Sequence, residues 1–196
     1  METLDTQTWI ILAAVVVLGL VALGAWFFYQ KKRSHKLQER FGPEYGRTVN
    51  ELGSRTKGES ELKAREKRVE RLEIIALAPS DAARFSEAWQ ALQGRFVDNP
   101  KGVVVQAEQL VRELMQKRGY PMGDFESRAG DISVDHPDVV ANYRSAQAIA
   151  VRDRQGSADT EELRKAVVHY RALFDELLEV REPKQEIIAE KRVAAR

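Results

Sequence analysis

The stretch NPKGVVVQAEQLVRELMQKRGYP, residues 99–121, contains the start, the body and the end of one helix. Asn99 is a favoured N-cap residue, and Pro100 suits the first helical position because no partner is needed there for a backbone N–H. Gly119 and Pro121 follow the last turn, as is typical of a helix end. Apolar residues recur at three- and four-residue intervals, at Val103, Ala107, Leu110, Val111 and Leu114. The stretch therefore predicts a complete amphipathic helix.

Similar patterns on both sides of this stretch predict further helices. Ser80 is predicted to cap the preceding helix, and Asp159 with Glu162 has the spacing of a capping box before the last one. A weaker apolar pattern predicts another helix from Pro137 to about Arg154. Since no alternating β-branched run bounded by hairpin turns occurs, a sheet is not expected. We predict an all-α fold in which a soluble bundle of four or five helices follows one N-terminal transmembrane helix.

Two helices are predicted between the N-terminal part and Ser80. One begins at Pro43 and ends near Gly53, after which residues 53–58 are interpreted as a flexible joint. Residues 43–53 could lie on the domain or on a membrane, and their narrow apolar stripe, poor in lysine, favours the domain. The next helix, residues 59–77, has a heptad-like seam in which Arg65 takes the place of an apolar residue.

The apolar run WIILAAVVVLGLVALGAWFFY, residues 9–29, contains no charged residue and no proline. As a helix it would be about 32 Å long, enough for a hydrocarbon core of about 30 Å. We therefore predict a transmembrane helix after a short extracytoplasmic segment, residues 1–8. A cleaved signal peptide is disfavoured because no basic residue precedes the run. Aromatic residues are predicted at the membrane interfaces, namely Trp9, Trp26, Phe27 and Tyr29.

A cluster of basic residues follows the apolar run directly, formed by Lys31, Lys32, Arg33 and Lys36. The positive-inside rule then predicts a single-pass inner-membrane protein with its N-terminus outside and its domain in the cytoplasm. The same cluster is predicted to contact anionic lipid headgroups. The remaining segments are a basic juxtamembrane segment with a short helix (30–58), a cytoplasmic helical domain (59–181) and a charged flexible tail (182–196).

Composition and motifs argue against several kinds of chemistry. The net charge of +1 is not that of a nucleic-acid-binding domain, and the lack of cysteine excludes disulfides and thiolate catalysis. The chain contains no HExxH, no glycine-rich phosphate loop and no Glu-x-x-His pair of a helical di-metal site. We predict that the protein is not an enzyme and has no catalytic residue, metal, cofactor, nucleic-acid partner or identified small-molecule substrate.

One segment, RGYPMGDFESRAGDISVDHPDVV (118–140), is rich in acidic residues and supports an alternative. A hydrolase or metal-dependent enzyme could use Asp131, Asp135, His136 and Asp138. The competing interpretation is a join between helices, in which Asp135 or His136 caps the next helix and Asp138 lies near its positive end. Asp135, His136 and Asp138 are kept as functional candidates.

The blocks RFGPEYGRTV, FVDNP, QLVRELMQKRGYP, DISVDHPDVVANYR and TEELRKAVVHYRALFDELL together resemble an uncharacterised family of small bacterial single-span membrane proteins. The resemblance covers residues 40–178 and implies one anchored helical domain with no known activity. With the residue patterns, it predicts a membrane-anchored module for protein–protein interaction or scaffolding, which binds another protein or itself.

Overall fold

A computed structural model describes the backbone of residues 6–178, and the side chains from residue 15 onward except those at 22, 26, 27 and 30. This part of the chain consists of α-helices without a strand, so the predicted all-α class is confirmed. The helices are α1 (Thr6–Phe41), α2 (Pro43–Glu51), α3 (Arg55–Val69), α4 (Pro79–Gly94), α5 (Pro100–Lys117), α6 (Phe125–Asp135), α7 (Pro137–Arg154) and α8 (Thr160–Leu178).

The predicted membrane span and the basic cluster belong to one unbroken helix, α1, of 36 residues. Between residues 6 and 178, no helix has both the length and the apolar character that crossing a membrane requires. The span predicted over residues 9–29 is therefore not supported. The localisation that depended on it, a single-pass inner-membrane protein with an outer N-terminus and a cytoplasmic domain, is wrong. Sequence reasoning separated the apolar run from the polar residues after it, whereas the helix continues through them to Phe41.

Some predicted features fall outside the part of the chain that the structure describes. These are the first five residues of the predicted N-terminal segment, the predicted tail at 182–196, and the side chains of Trp9, Trp26 and Phe27.

A helix that the sequence did not predict, α6, lies within the acidic segment. It contains few apolar residues, and three of its buried side chains are polar: Arg128, Asp131 and Ser133. A periodicity of apolar residues cannot reveal such a helix, because much of its buried face is not apolar. The predicted count of four or five bundle helices is too low for this reason.

The larger of two apolar clusters is formed mainly by α4, α5, α7 and α8, with Ala129 and Ile132 from α6. α8 contacts both α5 and α7 extensively. The Trp89 ring stacks on Phe174 with ring centroids 4.5 Å apart. The buried Arg118 side chain of the α5 C-cap donates a hydrogen bond of 2.8 Å to the carbonyl oxygen of Leu177, which satisfies an acceptor in the last turn of α8.

The smaller apolar cluster joins the C-terminal end of α1 to α2, α3 and one residue of α6. Its buried members are Leu37, Phe41, Tyr45, Leu62, Val69 and Val134. Gly42 separates α1 from α2 with a φ of 47°, in the left-handed region that glycine adopts at little cost. Because Tyr45 and Thr48 of α2 are buried, residues 43–51 pack on the domain, as their apolar pattern favoured.

Of the predicted caps at Ser80, Asn99 and Asp159, the structure confirms the last two. Asn99 Oδ1 accepts a hydrogen bond of 3.0 Å from Gly102 N, as its N-cap position requires. Asp159 and Glu162 form the predicted capping box, with backbone-to-side-chain distances of 2.8 and 3.2 Å. The prediction for Ser80 is wrong, because α4 already begins at Pro79.

The predicted flexible joint at residues 53–58 is instead partly helical, since α3 begins at Arg55. Gly58 is buried in the first turns of α3, where a Cβ atom would lie 2.9 Å from Val49 Cα of α2. Glycine is therefore required at this position by the close approach of two helix backbones.

We expect the two helical glycines of this region to respond oppositely to alanine. Gly58→Ala forces α2 and α3 apart and should lower the free energy of unfolding by about 1–3 kcal/mol. Gly46→Ala in α2 meets no atom within 4 Å and should raise it by about 0.5–1 kcal/mol. Urea unfolding of both variants checks this, and a destabilised Gly46→Ala or a neutral Gly58→Ala would contradict the close helix contact.

Candidate functional site

The acidic segment begins with a helix cap. Asp124 is the N-cap of α6, and its Oδ1 accepts a hydrogen bond of 2.8 Å from Ser127 N. Its Oδ2 accepts a second bond of 3.1 Å from the Ser127 hydroxyl. These bonds from Ser127 lower the pKa of Asp124. The carboxylate therefore has a structural role at the positive end of α6.

Asp131 is buried, with 3% of its surface exposed, and points toward α3. Its Oδ1 accepts a hydrogen bond of 2.7 Å from Arg68 Nε, and Arg68 Nη2 lies at the same distance. A buried carboxylate needs such a partner, because an unpaired charge is costly away from water. Asp131 thus connects α6 to α3.

His136 lies between α6 and α7. The residue is the N-cap of α7, but its side chain forms no capping hydrogen bond. Instead, Nδ1 lies 2.9 Å from Glu176 Oε1 on α8. The backbone N–H of His136 donates to Ile132 O at 2.8 Å. The imidazole consequently links the α6–α7 junction to α8.

The two other candidates of this segment, Asp135 and Asp138, are exposed. Asp135 ends α6, and Asp138 lies in the first turn of α7, where the helix dipole favours a negative charge as expected. Burial raises the pKa of the Tyr120 phenol, and the nearby Asp135 carboxylate raises it further. In the described part of the chain, no three histidine or acidic side chains are grouped so that they could hold a metal ion.

The structure therefore does not bring the four candidate side chains together. The carboxylate of Asp131 contacts α3, the imidazole of His136 contacts α8, and Asp135 and Asp138 face solvent. The described residues of the predicted membrane interface, Tyr29, Lys31, Lys32, Arg33 and Lys36, are all exposed on α1.

A buried ion network that the sequence did not predict connects α2, α3, α6 and α7. Glu44, with 3% of its surface exposed, receives two hydrogen bonds from Arg144: Nε to Oε1 at 2.7 Å and Nη2 to Oε2 at 3.1 Å. Arg144 also donates to Glu126 Oε2 at 2.6 Å. Burial alone would lower the pKa of Arg144, but these two carboxylates raise it. The guanidinium therefore stays charged.

Arg65 completes this network and explains the gap in the apolar seam of α3. Its Nη1 lies 3.6 Å from Glu44 Oε2, and its Nε donates to Glu61 at 3.1 Å. Gly130 of α6 faces the guanidinium, and a Cβ atom there would lie 3.3 Å from Arg65 Nε. The charged residue in an apolar stripe was the only sequence signal for this network.

A third buried carboxylate, Glu59, ties α1 to α2 and α3. Its Oε1 accepts hydrogen bonds from the Ser34 hydroxyl at 2.6 Å, the Tyr45 hydroxyl at 2.9 Å and Arg55 Nε at 2.9 Å. Burial by itself would raise the pKa of Glu59, but the bonds from Ser34, Arg55 and Tyr45 outweigh it, so the pKa is lowered. Ser34 is thereby fixed on the domain.

The sequence matches no family model, and neither the curated proteins nor the solved structures give a match. The resemblance to an uncharacterised family of small bacterial proteins stays a prediction.

The buried network predicts very different effects for two glutamates of α2. Glu44→Ala leaves Arg144 and Arg65 without their shared carboxylate, so the free energy of unfolding should fall by about 3–5 kcal/mol. Glu51→Ala removes only an exposed ion pair with Arg47 and should cost less than about 1 kcal/mol. Chemical denaturation measures both values, and similar costs for the two variants would disprove a central role for Glu44.

The Glu59 cluster predicts a dependence of stability on pH. Folding lowers the pKa of Glu59 below the ordinary value of 4.5, so the ionised carboxylate stabilises the folded state. This contribution to the free energy of unfolding is complete above that pH and is lost as the pH falls through the lower pKa of the folded state. Glu59→Gln should cost about 1–3 kcal/mol at pH 7 and should flatten the loss of stability below pH 4.5.

Ser34→Ala, which removes one donor to the same carboxylate, should flatten the acid dependence in part. Unfolding free energies measured from pH 7 to pH 3 test both variants. An acid slope in Glu59→Gln equal to that of the unchanged protein would refute the assignment.

Proposed function

We propose that the protein is an all-helical module for protein–protein interaction or scaffolding, and that the apolar part of α1 is a surface through which it binds. The observation that carries this proposal concerns α1. Its C-terminal part is fixed on the domain, whereas the apolar side chains of its preceding part are exposed. The partner contributes apolar helices to this surface, and it is another protein or further copies of the same chain.

The exposed surface is the part of α1 that precedes the basic cluster. Its large exposed apolar residues are Val15, Val16, Val17, Leu18, Leu20, Val21, Leu23, Phe28 and Tyr29. Four successive residues of a helix, such as 15–18, point about 100° apart and therefore occupy all its faces. A helix that is apolar on every side is stable when its sides are covered. More than one partner helix is needed to cover it.

The C-terminal part of α1 is held in a fixed position by the domain. Leu37 and Phe41 are buried in the smaller apolar cluster, and Ser34 donates to Glu59 at 2.6 Å. The contacts of α1 with the domain are made to α2, α3 and α6, whereas its apolar part has little cover from the domain. The domain therefore presents the apolar part of α1 as a rigid extension, which reduces the entropy lost on binding.

The alternative of a hydrolase or metal-dependent enzyme gains no support from the geometry. Asp131 and His136 are engaged by Arg68 and Glu176 on different helices. That the protein is not an enzyme stays a prediction.

Affinity capture of the intact protein tests the proposal with two matched double variants. Val17→Glu/Val21→Glu places two charges on one face of α1, and Val97→Glu/Val105→Glu places the same charges at exposed positions of the domain. The unchanged protein should retain a partner in near-stoichiometric amount or form a higher oligomer, as measured by light scattering. The amount of bound partner or of oligomer should fall at least about tenfold in the α1 variant and stay unchanged in the domain variant.

Two outcomes would contradict the proposal. One is an unchanged protein that is monomeric with nothing bound, and the other is equal retention of the partner by both double variants. Circular dichroism of each variant confirms that the domain is folded.

A further inference from the structure

A basic groove runs along the contact between α1 and α3, beside the Glu59 cluster. It has a volume of about 490 Å³ and is lined by three cationic side chains, Arg33, Lys63 and Lys67, together with Thr56, Ser60, Ala64 and Glu59. A groove of this size can hold a small ligand. Only Arg33 of these cations belongs to the basic cluster that the sequence singled out.

The lining residues of α3 share one face of that helix. Thr56, Ser60, Lys63 and Lys67 follow one another at intervals of four, three and four residues, which places them in a row on the helix surface. Two lysines four residues apart repel each other, and Arg33 from α1 adds a third positive charge to the same groove. The row therefore concentrates positive charge and hydroxyl donors.

The carboxylates closest in sequence on α3 do not neutralise these charges. Glu59 is paired with Arg55, Glu61 with Arg65 and Glu66 with Arg40. Among the side chains that the structure describes, Arg33, Lys63 and Lys67 form no ion pair. The charge of Glu59, which lines the groove, is offset by Arg55 at 2.9 Å.

A second groove on the other side of Arg33 and Lys63 provides a contrast. It is lined by Lys32, Lys36 and Arg40, but also by three glutamates, Glu39, Glu66 and Glu70. Arg40 is paired there with Glu66 at 3.1 Å, and His35 lies 3.2 Å from Glu39. Both grooves have more cationic than acidic lining residues, but Glu59, the one carboxylate that lines the first groove among the described residues, is already paired with Arg55.

We propose that the groove between Arg33, Lys63 and Lys67 binds a phosphate group. A guanidinium can bind two phosphate oxygens at once, the two ammonium groups supply further charge, and the hydroxyls of Thr56 and Ser60 donate hydrogen bonds. This binding is independent of the apolar surface of α1. The phosphate could belong to a soluble phosphorylated compound, with two or more negative charges, or to a lipid headgroup, which is a singly charged diester.

Titration calorimetry of the full chain at low ionic strength tests the proposal with two soluble probes. Inorganic pyrophosphate represents the first source, and glycerophosphoglycerol, a headgroup without acyl chains, represents the second. We expect saturable binding of one probe with a Kd below about 1 mM, weakened at least about tenfold by Lys63→Gln/Lys67→Gln and by Arg33→Gln. The probe that binds more tightly identifies the source.

Lys165→Gln removes an exposed charge from α8 and is the matched control, which should bind as the unchanged protein does. The proposal is overturned if neither probe binds, if the groove variants bind normally, or if Lys165→Gln loses as much affinity. Melting temperatures without ligand show that each variant is folded, so a loss of binding is assigned to the groove. The α1 variants of the capture experiment retain these cations, so the two proposals fail separately.

Discussion

The position of α2 against α7 depends on one buried interaction, the bidentate pair between Glu44 and Arg144. Neither charge can be left in the interior alone, since an unpaired buried ion is far less stable than the same ion in water. The guanidinium of Arg65 and the space above Gly130 are arranged around the same carboxylate. The helices α2, α3, α6 and α7 therefore meet in an arrangement that satisfies this set of charges.

These polar contacts join the two apolar clusters of the domain. The clusters alone would tolerate sliding of one helix group over the other, because apolar burial has no direction. The pairs Glu44–Arg144 and Asp131–Arg68 are directional and connect α2 and α3 to α6 and α7. The Glu59 cluster fixes α1 in the same way, through a hydroxyl that donates directly to the carboxylate.

The sequence predicted those parts of the fold that follow from local chemistry. The cap at Asn99, the capping box of Asp159 and Glu162, and the helix start at Pro43 each depend on a few neighbouring residues. α6 was missed because its buried face contains the polar residues Arg128 and Asp131, and the partner of Asp131, Arg68, lies 63 residues away in the sequence. The acidic residues 131–138 suggested a site, yet the structure engages Asp131 and His136 separately. Arg65 interrupts the apolar stripe of α3, but no local pattern in the sequence points to its partner, Glu44 of α2.

The separation of 100 residues between Glu44 and Arg144 also affects how the chain acquires its structure. At about 5–20 residues per second, a ribosome needs roughly 5–20 s to synthesise the residues between the two partners. During this time α2 and α3 exist without the guanidinium of α7, and Glu44 remains hydrated. The Glu44–Arg144 pair can therefore form only after α7 has been synthesised, and its formation closes a long loop. The exposed apolar part of α1 is synthesised before α7, so it is open to association during this interval.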